Sequence, residues 1–163
     1  MSFFKKSKTM LAAGAQAPSF ELKDLEGNQR SLADLLAKGP VLLAFFKISC
    51  PVCQMTAPFL SRLAHSSGIQ VFGVSQDDAS STKGFNQRFG VTFPVLLDES
   101  RAGYPASNGF GIASVPSLFL VEPDGVISTA FAGFSKADLE ALGNRMGAPP
   151  FQAGENVPAF RAG

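Results

Sequence analysis

Two cysteines and one histidine are the only strong soft metal ligands this 163-residue chain contains, whereas a structural zinc site normally takes four ligands. No metal centre is expected. The two thiols stand three positions apart, and a bridge closing so small a loop would remove little entropy from the unfolded chain. They are poorly placed as a structural staple. Charge of one sign is also missing: 14 Lys and Arg against 13 Asp and Glu leave a net charge of +1, which makes no field to gather nucleic acid or an anionic membrane. Long apolar runs are absent too. The longest, Val41–Phe46, is far short of the roughly 20 residues of a membrane-spanning helix, and the apolar segment 10–15 behind the N-terminal lysines is too short for a signal peptide. We expect no membrane span, a flexible tail over residues 1–14 and a cytoplasmic location, with export the alternative if the natural N-terminus is longer. No repeat, heptad run or linker divides the chain.

What is present is a strongly apolar globular composition, 45% hydrophobic with 16 phenylalanines, enough for one core and one domain. Phe20 and Leu22 alternate with polar neighbours before a Gly-Asn turn, reading as a short strand. Ser31 with Asp34 resembles a capping box that opens a helix, stopped by Gly39 and Pro40. The run from Val41 to Ile48, broken only by Lys47, reads as a strand covered on both faces. After Pro51, the residues Val52, Met55, Phe59, Leu60 and Leu63 recur at helical spacing, with Pro58 expected to kink the helix and Gly68 to stop it. Further strands are expected over 69–74, 93–97, 117–121 and 126–132, the last two joined by the turn Glu122-Pro-Asp-Gly125. Ser80 or Ser81 is expected to cap a helix carrying Phe85 and Phe89. Ser135 is expected to start a last helix carrying Leu139, Leu142 and Met146. Alternating helices and strands with a terminal hairpin indicate an α/β sandwich.

Cys50-Pro51-Val52-Cys53 sits between the buried-strand signal and the helix, and that setting gives the pair its meaning. At a helix start the dipole and unpaired backbone N–H groups face the Cys50 sulfur and favour thiolate over thiol. Cys50 is then the nucleophile. Cys53, one turn along, is placed to resolve the mixed disulfide that Cys50 forms. The plain alternative is two buried cysteines packed as small hydrophobes.

These residues, together with Ala17-Pro18-Ser19-Phe20-Glu21-Leu22, Pro58, Phe93-Pro94-Val95-Leu96-Leu97-Asp98, Val115-Pro116-Ser117 and Glu122-Pro-Asp-Gly125, resemble the thioredoxin-like superfamily over about residues 15–146. The resemblance is closest to its redoxin branch of cytochrome-maturation reductases and peroxiredoxin relatives. It implies an α/β thioredoxin-like fold, a central mixed sheet flanked by helices on both faces with an N-terminal redoxin-type extension. The domain would span 15–147, followed by a Pro/Gly/Ala-rich tail, 148–163, whose docking the sequence does not decide. The resemblance also implies a thiol-disulfide oxidoreductase that needs no bound cofactor. Its partners would be a disulfide-bearing protein or a small thiol or disulfide, and an upstream reductant such as a thioredoxin or glutathione system. Pro116 matches the family's cis-proline, beside the cysteine pair, which leaves the Val115 backbone free to pair with an incoming strand. Pro51, Val52, Val115 and Pro116 are accordingly expected on the substrate side.

Departures from the family pattern matter. Ala44 and Thr56 stand where relatives carry a buried Asp or a Glu near the cysteines, so the usual proton acceptor for Cys53 is missing. Ser49 replaces the usual aromatic residue before the first cysteine. Asp77 and Asp78, just past the strand ending near Val74, are placed to reach the same sheet edge but are read as solvated loop acids, Lys47 as a strand-end lysine reaching solvent, and His65 as a cation near a helix end, roughly 18 Å from the cysteines along the helix. The alternative activity is a thiol peroxidase, whose peroxidatic cysteine would align with Cys53. That site carries Thr or Ser at the Cys50 position and Pro at the Phe46 position, and neither is present. A copper-binding module on the same fold is the non-enzymatic alternative, but it needs a different cysteine spacing and a matching histidine.

Overall fold

The computed structural model describes residues 9–163. In chain order its elements are β1 (Glu21–Asp24), β2 (Gln29–Ser31), α1 (Leu32–Leu36), β3 (Val41–Phe46), α2 (Pro51–Leu63), β4 (Gln70–Ser75), α3 (Ala79–Phe89), β5 (Val95–Leu97), a 3-10 turn (Ser100–Ala102), α4 (Pro105–Phe110), β6 (Ser117–Val121), β7 (Ile127–Ala132), β8 (Phe134–Ser135), α5 (Lys136–Met146) and β9 (Phe160–Arg161). Seven strands form one mixed sheet in the order β2-β1-β5-β4-β3-β6-β7. Strands β3, β4 and β5 run parallel, whereas β6 pairs antiparallel to β3. This is the mixed sheet the sequence implies.

All six residues of β3 are buried, and the period-2 alternation of a strand divides them between two cores. Leu42, Ala44 and Phe46 face one side, where Cys53, Ala57 and Leu60 of α2 pack with Phe85 of α3 and Leu139 and Leu142 of α5. Val41, Leu43 and Phe45 face the other, against Leu32 and Leu35 of α1 and Ala106 and Phe110 of α4. There the phenylalanines interlock, with Phe110 and Phe119 rings 4.9 Å apart and Phe45 5.2 Å from Phe110. Edge-on and tilted aromatic packing of this kind adds to simple area burial. Helices on both faces explain why the middle strands read as unbroken apolar runs.

Local signals placed most of the caps. Ser31 Oγ accepts the Asp34 N–H and Ser135 Oγ accepts the Asp138 N–H, as expected of N-cap serines. The cap of α3 is not Ser80 or Ser81 but Asp78, whose carboxylate accepts from Ser81 N at 2.7 Å. An acid at the N-cap also meets the positive helix end, which a serine does not. Helix α2 ends at Leu63, five residues before Gly68, and the positive side chain in its last turn is Arg62 rather than His65, which is exposed beyond the helix.

Residues 1–8 of the expected N-terminal tail lie outside the described residues. From Leu11 on the chain is tied to the domain, with Leu11 N donating to Phe110 O and Gly14 N to Ile127 O. The segment after α5 packs back onto the domain. Phe151 stacks against Phe59 at 5.0 Å and Phe134 at 6.0 Å, Arg62 holds both Glu155 carboxylate oxygens, and β9 pairs with β8. The Arg62 guanidinium lowers the Glu155 carboxyl from 4.5 to about 2. A depressed carboxylate stabilises above its unfolded value and releases as pH falls through the folded one, so this clamp opens between about pH 4.5 and 2. The variant Glu155→Gln should mimic that release at neutral pH, seen as faster amide exchange at Gln152, whose N–H donates to Glu155.

Candidate active site

Strands β3 and β4 are parallel and in register, Phe46 opposite Ser75, so both run out at the same sheet edge. The polypeptide leaving β3 turns through Lys47, Ile48 and Ser49 and enters α2 at Cys50, which is the helix N-cap with extended φ −85° and ψ 113°. Pro51 takes the first helical turn, where its missing N–H costs nothing. A cap residue aims its side chain at the helix's unpaired N–H groups, and here the Cys53 N–H donates to Cys50 Sγ at 3.1 Å. The Cys50 thiol in turn donates to Val115 O at 3.3 Å. Both cysteines are free thiols.

Exposure separates their chemistry. Cys50 is partly exposed, whereas Cys53 is 2% exposed in the core beside Ala44 and Ala57. Burial, the hydrogen bond to Cys50 and the nearness of that sulfur all push the Cys53 thiol well above the ordinary thiol range. Cys53 is therefore a neutral thiol at neutral pH. No carboxylate relieves it from the two positions the sequence singled out: Ala44 is apolar, and the buried Thr56 hydroxyl donates to Val52 O at 2.6 Å.

The other residues singled out in the sequence lie on the first turn of α2 and on the loop that meets Cys50. Val115-Pro116 is a cis peptide, Val115 is half-buried and Pro116 buried, and Pro51 is exposed with Val52 half-buried on the first turn of α2. Lys47 is exposed and lines a cavity of about 220 Å³ shared with Gln76, Tyr104, Ser107 and the loop from Ile112 to Val115. Among the described residues no three His, Cys, Asp or Glu side chains converge as a metal-ligand set.

Sequence reasoning missed the residues that hold the approach to Cys50. Asp77, read as a solvated acid, accepts the Ile48 N–H at 2.8 Å, and Gln54 Nε2 donates to Ile48 O at 2.9 Å. Both backbone groups of Ile48 are thus pinned two residues before the nucleophile. The available signal was the pairing of two parallel strands that end together, which puts the residues just past β4 beside those just past β3. Asp77→Ala strands the Ile48 N–H, and we expect it to cost roughly 1–3 kcal/mol in denaturant unfolding. Asp77→Asn, which keeps an acceptor oxygen, should recover most of that loss.

A model described as the AhpC/TSA family matches residues 13–130. Among curated proteins, the thiol-disulfide oxidoreductase ResA of Geobacillus thermodenitrificans is 30% identical over 142 residues, covering 84% of this chain and 79% of its own. The ResA of Bacillus subtilis is 30% identical over 130 residues, covering 77% and 70%. Among solved structures, the thioredoxin domain of a thiol-disulfide oxidoreductase from Bacteroides vulgatus superposes with a TM-score of 0.73 at 25% identity, covering 83% of this chain and 97% of that one. A thiol:disulfide interchange protein DsbE from Chlorobium tepidum gives a TM-score of 0.70 at 27% identity, covering 83% and 95%.

Proposed function

The chain belongs to the AhpC/TSA family with a thioredoxin-like fold, and from that premise we propose that it is a thiol-disulfide oxidoreductase working through Cys50 and Cys53. The observation that carries this reading is the division of labour between the thiols: a partly exposed sulfur at the N-cap of α2, meeting a backbone N–H at 3.1 Å, in front of a buried partner.

The Cys50 thiolate attacks one sulfur of a substrate disulfide and forms a mixed disulfide, while the other substrate sulfur leaves as a thiolate and takes up a proton. Cys53 then loses its proton and attacks Cys50 Sγ. That forms the Cys50–Cys53 disulfide and expels the second substrate thiol. Two electrons pass to the substrate, and an upstream thiol reductant, of the thioredoxin or glutathione kind, returns them. Pro51 and Val52 on the helix, with Val115 and Pro116 opposite, border the sulfur on the two sides from which the substrate chain approaches. In a reducing cytoplasm this direction is favoured thermodynamically.

The peroxidase alternative would put the attacking sulfur at Cys53. A peroxidatic cysteine must be reachable and ionised, whereas Cys53 is buried and its thiol pushed up. Stopped-flow oxidation of the reduced protein tests the choice, with a model protein disulfide in one experiment and hydrogen peroxide in the other. Fast thiol loss with the disulfide and slow loss with peroxide is the expected result. Fast peroxide consumption with slow exchange would overturn it.

A further inference from the structure

The carbonyl that receives the Cys50 thiol, Val115 O, has a second neighbour from the far end of the chain. A Cβ built on Gly163 would collide with the Val115 carbonyl and touch Pro116 Cδ, so the backbone of Gly163 lies directly on the Val115-Pro116 edge. The segment leading there is held at several points. Arg62 Nη1 donates to Pro150 O at 2.9 Å as well as to Glu155, and Lys136 N donates to Ala159 O at 3.0 Å. Phe160 and Arg161 then pair antiparallel with Ser135 and Phe134. Gly133, next to that pairing, donates its N–H to Pro116 O at 2.8 Å. A side chain there would strike Arg161 O and the Phe160 ring. Both glycines are thus required for the extended segment to lie against the edge.

We propose that residues 160–163 are an internal peptide ligand of the Cys50 site, an autoinhibitory strap that an incoming disulfide-bearing polypeptide must displace. The inference rests on Cys50 being the attacking thiol. Strand-like docking against an exposed backbone edge is a recurrent way of binding peptides, and here Gly163, two residues beyond the strand that pairs with β8, lies on the carbonyl that receives the Cys50 thiol. Phe160, 58% exposed, is the exposed large hydrophobic residue among those described. It stands in this segment rather than among the ring-stacked phenylalanines of the two cores. Because the segment is tethered, it competes at an effective concentration in the millimolar range. If it holds the edge in about 90% of molecules, the apparent affinity for a competing peptide falls about tenfold.

Two variants test this: a chain ending at Ala159, and Gly163→Leu, which keeps every anchor but cannot seat against Val115 O. Each is checked for folding by circular dichroism. We expect both to raise kcat/KM for a protein disulfide about tenfold, to leave the rate with 5,5′-dithiobis(2-nitrobenzoate) within about twofold, and to be inhibited by the free peptide Ala-Phe-Arg-Ala-Gly. An unchanged protein-disulfide rate in both variants overturns the proposal, as does an equal rise with both substrates. Exchange absent from the parent chain and from both variants would instead refute the assignment of Cys50. Deuterium exchange then decides the strap separately: the amides of Val115 and Ser117 are expected to be better protected in the parent chain than in Gly163→Leu, and equal protection overturns it.

Discussion

Cys50→Ser should reduce disulfide exchange to the uncatalysed rate, whereas Cys53→Ser should retain the first attack and accumulate mixed disulfides with its partners. A hydroxyl at position 50 is not ionised at neutral pH and cannot replace a thiolate as the attacking atom. With Cys53 replaced, the only internal sulfur able to release the substrate is gone, and the mixed disulfide waits for an external thiol. Non-reducing gels of the two variants after mixing with a protein disulfide separate the outcomes. The reverse result, activity kept in Cys50→Ser and lost in Cys53→Ser, would assign the attack to Cys53. The unmodified protein should show a pH dependence of the same origin. Because burial keeps Cys53 protonated, resolution should speed up by about tenfold per pH unit until the thiol ionises, in proportion to its thiolate fraction. Quenching the reaction at low pH should therefore trap more mixed disulfide than quenching at high pH.

Asp98→Ala should be the most destabilising change outside the hydrophobic core, lowering stability by roughly 2–4 kcal/mol in urea unfolding. Asp98 is 0% exposed, and its carboxylate accepts from Ala106 N at 3.0 Å and Ser107 N at 2.7 Å. Those N–H groups belong to the first turn of α4, whose N-cap residue Tyr104 offers no side-chain bond of its own. Removing the carboxylate leaves two buried donors unpaired, each costing about 1–3 kcal/mol, against a total stability of about 5–15 kcal/mol for a domain. Asp98→Asn keeps one acceptor and should lose about half as much. The loss reaches the site, because Ser107 lines the cavity beside Val115 and accepts a 2.8 Å hydrogen bond from Gln76.

The position of Asp98 illustrates how resemblance and physics divide the work. The motif ending in Asp98 marked the fold, but nothing in its spacing said that the carboxylate caps a helix seven residues on. Asp77 is the opposite case, an acid read as solvated that binds the backbone of Ile48 across 29 positions. Ser31 and Ser135 were legible because a cap acts three residues away. Asp78 was missed because two serines nearby offered the same local chemistry, and the strand-to-helix geometry decided among them.

What the sequence determined by itself is whatever depends on neighbours a few residues apart. Alternation in β3, the apolar stripe of α2, the turn at Glu122-Pro-Asp-Gly125 and the placing of two thiols at a helix start are all of that kind. Hydrogen-bonding geometry and side-chain periodicity act over one or two turns, so a short stretch of sequence carries them in full. Tertiary structure alone decided that the Cys50 thiol donates to the Val115 carbonyl, 65 positions away, which acid pins Ile48, and where the last residues of the chain lie. The ion pair between Arg62 and Glu155 spans 93 positions, and no periodicity reports a contact at that distance. Such contacts exist only after parallel strands have aligned their ends and both cores have closed, which is why the sequence pointed to the thiol pair and its neighbours but not to the hydrogen bonds of Asp77, Gln54 and Glu155.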